Sequence, residues 1–99
     1  SDLLVRIPPS PQNSYKKIIM YYAYILVSLR DGRYYYGSSG NIDKRLIHHN
    51  SGKVKSTKNR KPLKLHYSEK YSTRKEAEQR ERFFKSIDGY IWLKQKGII

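Results

Sequence analysis

Cysteine is absent from this 99-residue chain, which excludes a disulfide scaffold and any thiolate-held zinc or iron–sulfur centre, and which suits a reducing, cytoplasmic location. Acidic residues are scarce: 8 Asp and Glu stand against 21 Lys and Arg, a formal net charge of +13. So lopsided a short chain is expected to meet a polyanion, nucleic acid ahead of an anionic membrane. Long apolar runs are missing as well. The longest, Ile18 to Val27, falls far short of the ~20 residues that cross a bilayer. It lacks the small-residue cleavage site of an export signal and reads as a buried strand, so no membrane partner is expected. The length leaves room for a single core. Phenylalanine is also rare, 2 residues against 10 tyrosines, so the aromatic groups carry hydroxyls that need polar partners or face outward.

Three of the 4 prolines, Pro8, Pro9 and Pro11, fall in a stretch with Ser10, Gln12, Asn13 and Ser14. Residues 1–19 are therefore expected to form a flexible arm or extension ahead of a domain at 20–99, with Met20, the single methionine, a candidate natural start. Within 20–99 the aromatic and β-branched run Tyr21 to Val27 predicts a strand, and Asp31-Gly32 predicts a hairpin turn into a second strand at Tyr34 to Tyr36. Candidate caps at Ser38 to Asn41 open a helix from Ile42 to His49 that stops at Asn50-Ser51-Gly52. A basic connector, Lys53 to Lys61, leads to Leu63, Leu65 and Tyr67, which alternate with Lys64, His66 and Ser68 as a third strand with one buried face. Thr73-Arg74-Lys75-Glu76 is a capping box for a second helix to about Ser86. Asp88-Gly89 is expected to break it before a short helix from Tyr90 to Lys96. The order β-β-α-β-α-α predicts an α+β domain on a small three-stranded antiparallel sheet flanked by helices.

Helical phase, at about 100° per residue, separates ordinary charges from unusual ones. Arg45 and His49 flank the apolar stripe of Ile42 and Leu46, whereas Lys44 and His48 point to solvent. On the second helix Glu81 shares the face of Ala77 and Phe84. An inward carboxylate requires a cation or metal, unless it turns outward to pair with Lys85 one turn on. On the strands, Tyr22, Tyr24 and Leu26 share one face, and Tyr34 and Tyr36 oppose Tyr35.

Ala23-Tyr24-Ile25, then Tyr35-Tyr36-Gly37, Asp43-Lys44-Arg45-Leu46, His49-Asn50-Ser51-Gly52 and Glu81 together resemble the GIY-YIG nuclease family, most closely its small stand-alone bacterial members, over roughly Met20 to Lys96. Ala23 replaces the family's first glycine, Tyr36 stands where Ile or Val is usual, and Ser38 stands where several members carry a lysine or another helper. The resemblance implies hydrolysis of a DNA phosphodiester with one divalent cation, Mg²⁺ or Mn²⁺. It implies Glu81 as metal ligand, Arg45 as transition-state cation, Tyr35 as base or water-orienting phenol, Tyr24 as a second phenol and His49 as an assistant or substitute base. Gly37 belongs to the structural motif. Lys53, Lys55, Lys58, Arg60, Lys61 and Arg74 are expected to track phosphates without reading bases, so sequence specificity should be weak and targeting could fall to a protein partner. The competing expectations are a module that binds single-stranded nucleic acid without cutting, and a nuclease directed at RNA.

Overall fold

A computed structural model of the protein describes residues 19–99; the expected arm at 1–19 lies almost wholly outside them. Strands β1 (Tyr21–Ser28), β2 (Tyr34–Ser39) and β3 (Leu63–Tyr71) form an antiparallel sheet in the order β2-β1-β3. Helix α1 (Ile42–Asn50) lies between β2 and β3 in sequence, and α2 (Arg74–Phe84) and α3 (Ile87–Gln95) follow β3. The α+β, three-stranded architecture is the one the sequence predicts. No helix among the described residues is long and apolar enough to cross a membrane.

The central strand β1 is buried on both faces, and its alternation divides the core in two. Ala23 and Ile25 meet Phe84 and Leu93 from the α2–α3 layer, with Tyr34, Tyr36, Tyr67 and Trp92 around them. Tyr24 and Leu26 meet Leu63, Tyr35, Ile42 and Leu46 under α1. The loop at 29–33 turns with Gly32 at φ 72°, where a residue without a Cβ is favoured.

Three expectations need correction. The second strand does not stop at Gly37 but runs through it to Ser39, because Gly37 and Ser38 still pair with Tyr24 and Ala23 of β1. Strand β3 does not keep one buried face, because its pairing with β1 slips between Leu26↔Leu65 and Ile25↔Tyr67. This bulge adds one residue, His66, and sends Leu63 and Leu65 to the α1 face but Tyr67, Glu69 and Tyr71 to the α2–α3 face. Nor does Asp88-Gly89 break a helix. The break falls at Lys85–Ser86, and Gly89 sits buried in the first turn of α3, capped by the Ser86 hydroxyl, which accepts from the Gly89 N–H.

The bulge gives β3 a polar anchor for α2. Glu69 accepts from the Tyr67 and Tyr71 hydroxyls and from Arg80, whose Nε lies 2.7 Å away. The Arg80 guanidinium stacks on Phe83 and Trp92, at 4.6 and 4.5 Å from their ring centres. Arg80 holds the Glu69 carboxyl below the usual range, while burial and the bonds to Glu69 push both tyrosines up to about 12. Thr73 caps α2 by accepting from the Glu76 N–H, as the capping box predicts. With α2 pinned at Arg80, the next residue, Glu81, is carried toward β2.

Candidate active site

The site forms where β2, the edge strand, is crossed by a side chain from its neighbour. Tyr24 pairs with Gly37, and its phenol lies across that position: a Cβ at Gly37 would stand 2.5 Å from the Tyr24 hydroxyl oxygen. Only glycine admits this crossing, which is the physical content of Tyr-Tyr-Gly in the sequence. Tyr24 is almost fully buried, 1% exposed, and burial raises its pKa above the usual tyrosine value. The neighbouring Arg45 lowers it in part, whereas Tyr35 and Glu81 add to the rise. Tyr24 is therefore a neutral hydroxyl at physiological pH, ringed by the other phenol, the guanidinium and the acid.

Arg45 rises from α1, whose N-cap Asn41 accepts from the Lys44 N–H and fixes the helix start. It is half-buried and makes no ion pair with a carboxylate among the described residues; its guanidinium faces the Tyr24 hydroxyl and lies near His49. One turn later His49 is fully buried, deeper than the stripe edge where helical phase puts it. The basic connector folds over it: Thr57 Oγ1 lies 2.8 Å from His49 Nδ1, and Thr57 is itself fully buried. The Tyr35 ring meets the imidazole edge-on, 4.7 Å between centres. His49 Nε2 is buried without a hydrogen-bond partner. Burial first, then the charges of Arg45 and His48, lower the His49 pKa to about 4.

That shift has a stability consequence. The folded His49 titrates below its ordinary value of about 6.5, so its contribution is present above pH 6.5 and is lost as pH falls toward 4. The melting temperature is expected to decline between pH 6.5 and 5, ahead of most carboxylates, and His49→Gln should flatten the decline in that window. An unchanged slope would mean that the imidazole is charged in the folded state.

Glu81 reaches the same edge from the opposite side of the sheet. The Ser38 hydroxyl on β2 donates to its Oε1 at 2.6 Å, and Lys85 Nζ sits 2.8 Å from its Oε2. Both sequence alternatives for Glu81 thus hold at once: the carboxylate is turned toward the site and is also paired with Lys85. Thr57 is an addition to the residues read from the sequence, and Ser38, read there only as a departure from the family pattern, is found bonded to Glu81. Lys85 was legible as the i+4 partner, whereas Thr57 depends on the path of an irregular connector.

A divalent cation would fit here as a single-carboxylate ion. Among the described residues no three His, Asp or Glu side chains form a cage. Glu81, with its side chain 22% exposed, offers one charged oxygen pair, leaving the remaining positions to water and phosphate, the manner that suits Mg²⁺.

The expected phosphate track divides. Lys53, Lys55, Lys58 and Lys61 are exposed along the connector, and Arg74 is exposed with its guanidinium over the Tyr21 ring. Arg60 is turned inward instead. It donates to the Tyr34 carbonyl at 3.2 Å and lies 3.5 Å from Asp31, tying the connector to the hairpin. Asn50 holds the connector's other end, donating to the Leu63 carbonyl and accepting its N–H.

A fold with two phenols, an arginine, a histidine and a lone acid at one sheet edge defines a class, and comparison with known sequences agrees: residues 20–88 match the GIY-YIG catalytic domain, and the chain belongs to the GIY-YIG family. Its relatives include a UPF0213 protein of Bacillus licheniformis, 52% identical over 68% of this chain and 69% of that one. UPF0213 proteins of Bacillus pumilus and Staphylococcus saprophyticus are 40% and 43% identical, over 77% and 75% of this chain and 72% and 90% of theirs. The solution structure of a UPF0213 protein from Bacillus halodurans is 31% identical, covering 78% of this chain and 84% of that one, with a TM-score of 0.46.

Proposed function

We propose that this protein is a divalent-metal-dependent endonuclease that hydrolyses DNA phosphodiester bonds with little intrinsic sequence preference. The observation that carries this reading is the convergence of Tyr24, Tyr35, Arg45, His49 and Glu81 on the β2 edge from four different elements.

Hydrolysis adds water to phosphorus and breaks the bond to the 3′ oxygen; the water loses a proton and the 3′ oxygen gains one. A Mg²⁺ or Mn²⁺ ion on Glu81 would supply positive charge against the developing phosphorane and the departing oxygen. Arg45 offers a planar donor fork to the non-bridging oxygens. Tyr24, held neutral by burial, donates a hydrogen bond and orients water or phosphate. Tyr35 remains the phenol available to take the water's proton, its ring held edge-on against the His49 imidazole. His49, neutral at physiological pH, packs edge-on against the Tyr35 ring and keeps its Nε2 buried without a hydrogen-bond partner. Lys53, Lys55, Lys58 and Lys61, with Arg74, hold the nucleic-acid backbone; Arg60 serves the fold.

The direct test is incubation with supercoiled plasmid and with nicked, branched and single-stranded DNA in Mg²⁺ or Mn²⁺, beside Tyr35→Phe. Cleavage by the wild type and its loss in the variant are expected. Equal binding with no cleavage of any substrate by either protein would identify a binding-only module, and faster cleavage of matched RNA would reassign the substrate. Arg45→Ala is expected to lower the cleavage rate by about 10²–10³-fold, as for loss of one transition-state donor, while binding changes only a few-fold. Equal losses in both would make Arg45 a docking residue. Replacing Lys53, Lys55 and Lys58 with Ser is expected to flatten the dependence of log binding on log salt by up to about 0.9 for each phosphate contact removed.

A further inference from the structure

In the free protein the Glu81 carboxylate is already neutralised. Its Oε1 accepts from Ser38 and its Oε2 faces the Lys85 ammonium at 2.8 Å, while the Lys85 side chain is 53% exposed and sits at the C-cap of α2. Both residues reach Glu81 through side chains of different stiffness. Ser38 is a short group on a paired strand, opposite Ala23, whereas Lys85 is long and has solvent on most of its surface. A divalent cation approaching Oε2 meets an ammonium in its place.

We propose that Lys85 is an exchangeable counter-ion of the metal site, which holds Glu81 in the ion-free protein and moves to substrate phosphate when an ion and DNA are bound. This rests on Glu81 being the metal ligand, as proposed above.

The physical case has three parts. An exposed i, i+4 ion pair is weak, so it restrains Glu81 without locking it. A divalent ion and an ammonium cannot share one carboxylate oxygen without repulsion, so entry of the ion displaces Lys85. A phosphate brought to the β2 edge offers the displaced ammonium a new anion within the sweep of its four-carbon stem. Because Glu81 and the phosphate compete for one lysine, binding of DNA loosens the pair and favours the ion, and the ion by reciprocity favours DNA. The lysine also prevents an unpaired, half-buried acid from facing the neutral phenol of Tyr24 in the resting protein.

The experiment is a Mn²⁺ titration of the free protein followed by loss of the free-ion paramagnetic signal, in wild type, Lys85→Gln, Lys85→Arg, Glu81→Gln and Lys94→Gln. Lys85→Gln is expected to bind Mn²⁺ about three- to tenfold more tightly than wild type, and Lys85→Arg within twofold of it. Lys94→Gln removes the same charge from α3 and should change affinity by less than twofold. Repeating the titration with a phosphorothioate DNA that resists cleavage is expected to tighten Mn²⁺ binding in wild type and to tighten it less in Lys85→Gln. If Glu81→Gln abolishes the binding but Lys85→Gln matches wild type, the counter-ion proposal is overturned and the metal reading stands. If Glu81→Gln binds Mn²⁺ as wild type does, the metal reading itself falls.

Discussion

Glu81→Gln is expected to reduce metal-dependent cleavage about a thousandfold while leaving DNA binding within twofold. The substitution keeps the shape, the hydrogen bond from Ser38 and the seat on α2, and removes only the charge. A metal's electrostatic stabilisation is worth several kcal/mol, and each 1.36 kcal/mol is a factor of ten in rate, so loss of the ion's anchor costs roughly three decades. Binding is proposed to rest on the exposed lysines of the connector, which the change does not touch. The measurement is single-turnover cleavage of a labelled duplex beside a binding titration without metal. A variant that cuts at a tenth of the wild-type rate or better would remove Glu81 from the chemistry.

The second large effect concerns the fold. A Cβ at Gly89 would lie 1.7 Å from the Phe83 carbonyl oxygen and 2.9 Å from the Phe84 Cα, both backbone atoms at the end of α2. No rotamer relieves such a clash, so α3 must lift away from α2. Lifting it uncovers Leu93, which is fully buried, and separates Trp92 from Phe83. Loss of one buried leucine's packing costs about 2–5 kcal/mol, a large part of the stability of a domain this small. Gly89→Ala is expected to lower the melting temperature by about 15 °C or more, or to leave the chain unfolded. Asp88→Ala, one position away and exposed, is the control and should shift it by only a few degrees. A Gly89→Ala protein that melts with wild type would mean that α3 does not dock as described.

What was legible in the sequence was local. The hairpin, the capping box at Thr73 and the stop at Gly52 each depend on a few adjacent residues, and the structure has them where the sequence puts them. The phases of α1 and α2 brought Arg45, His49 and Glu81 inward for the same reason. Two misreadings have a common origin. Leu63, Leu65 and Tyr67 alternate perfectly as letters, yet the bulge at His66 is a property of how β3 pairs with β1 and leaves no mark in β3 itself. Gly89 is a helix breaker by propensity, and only the close approach of α2 turns it into a requirement. Long-range partners were out of reach in the same way. Nothing in the basic run Lys53 to Lys61 distinguishes Arg60, which is tied to Tyr34 and Asp31, from the lysines that face solvent.

The crossing of Tyr24 over Gly37 has a consequence for how such a protein could change. Gly37 and Tyr24 are partners on neighbouring strands and share the face that carries Tyr35, so the missing side chain at Gly37 is the space the Tyr24 phenol fills. Any larger residue there evicts the Tyr24 phenol from that space, while the exposed lysines of the connector and the Glu81 bonds to Ser38 and Lys85 lie elsewhere. On the nuclease reading proposed above, one codon would therefore separate a cutter from a clamp.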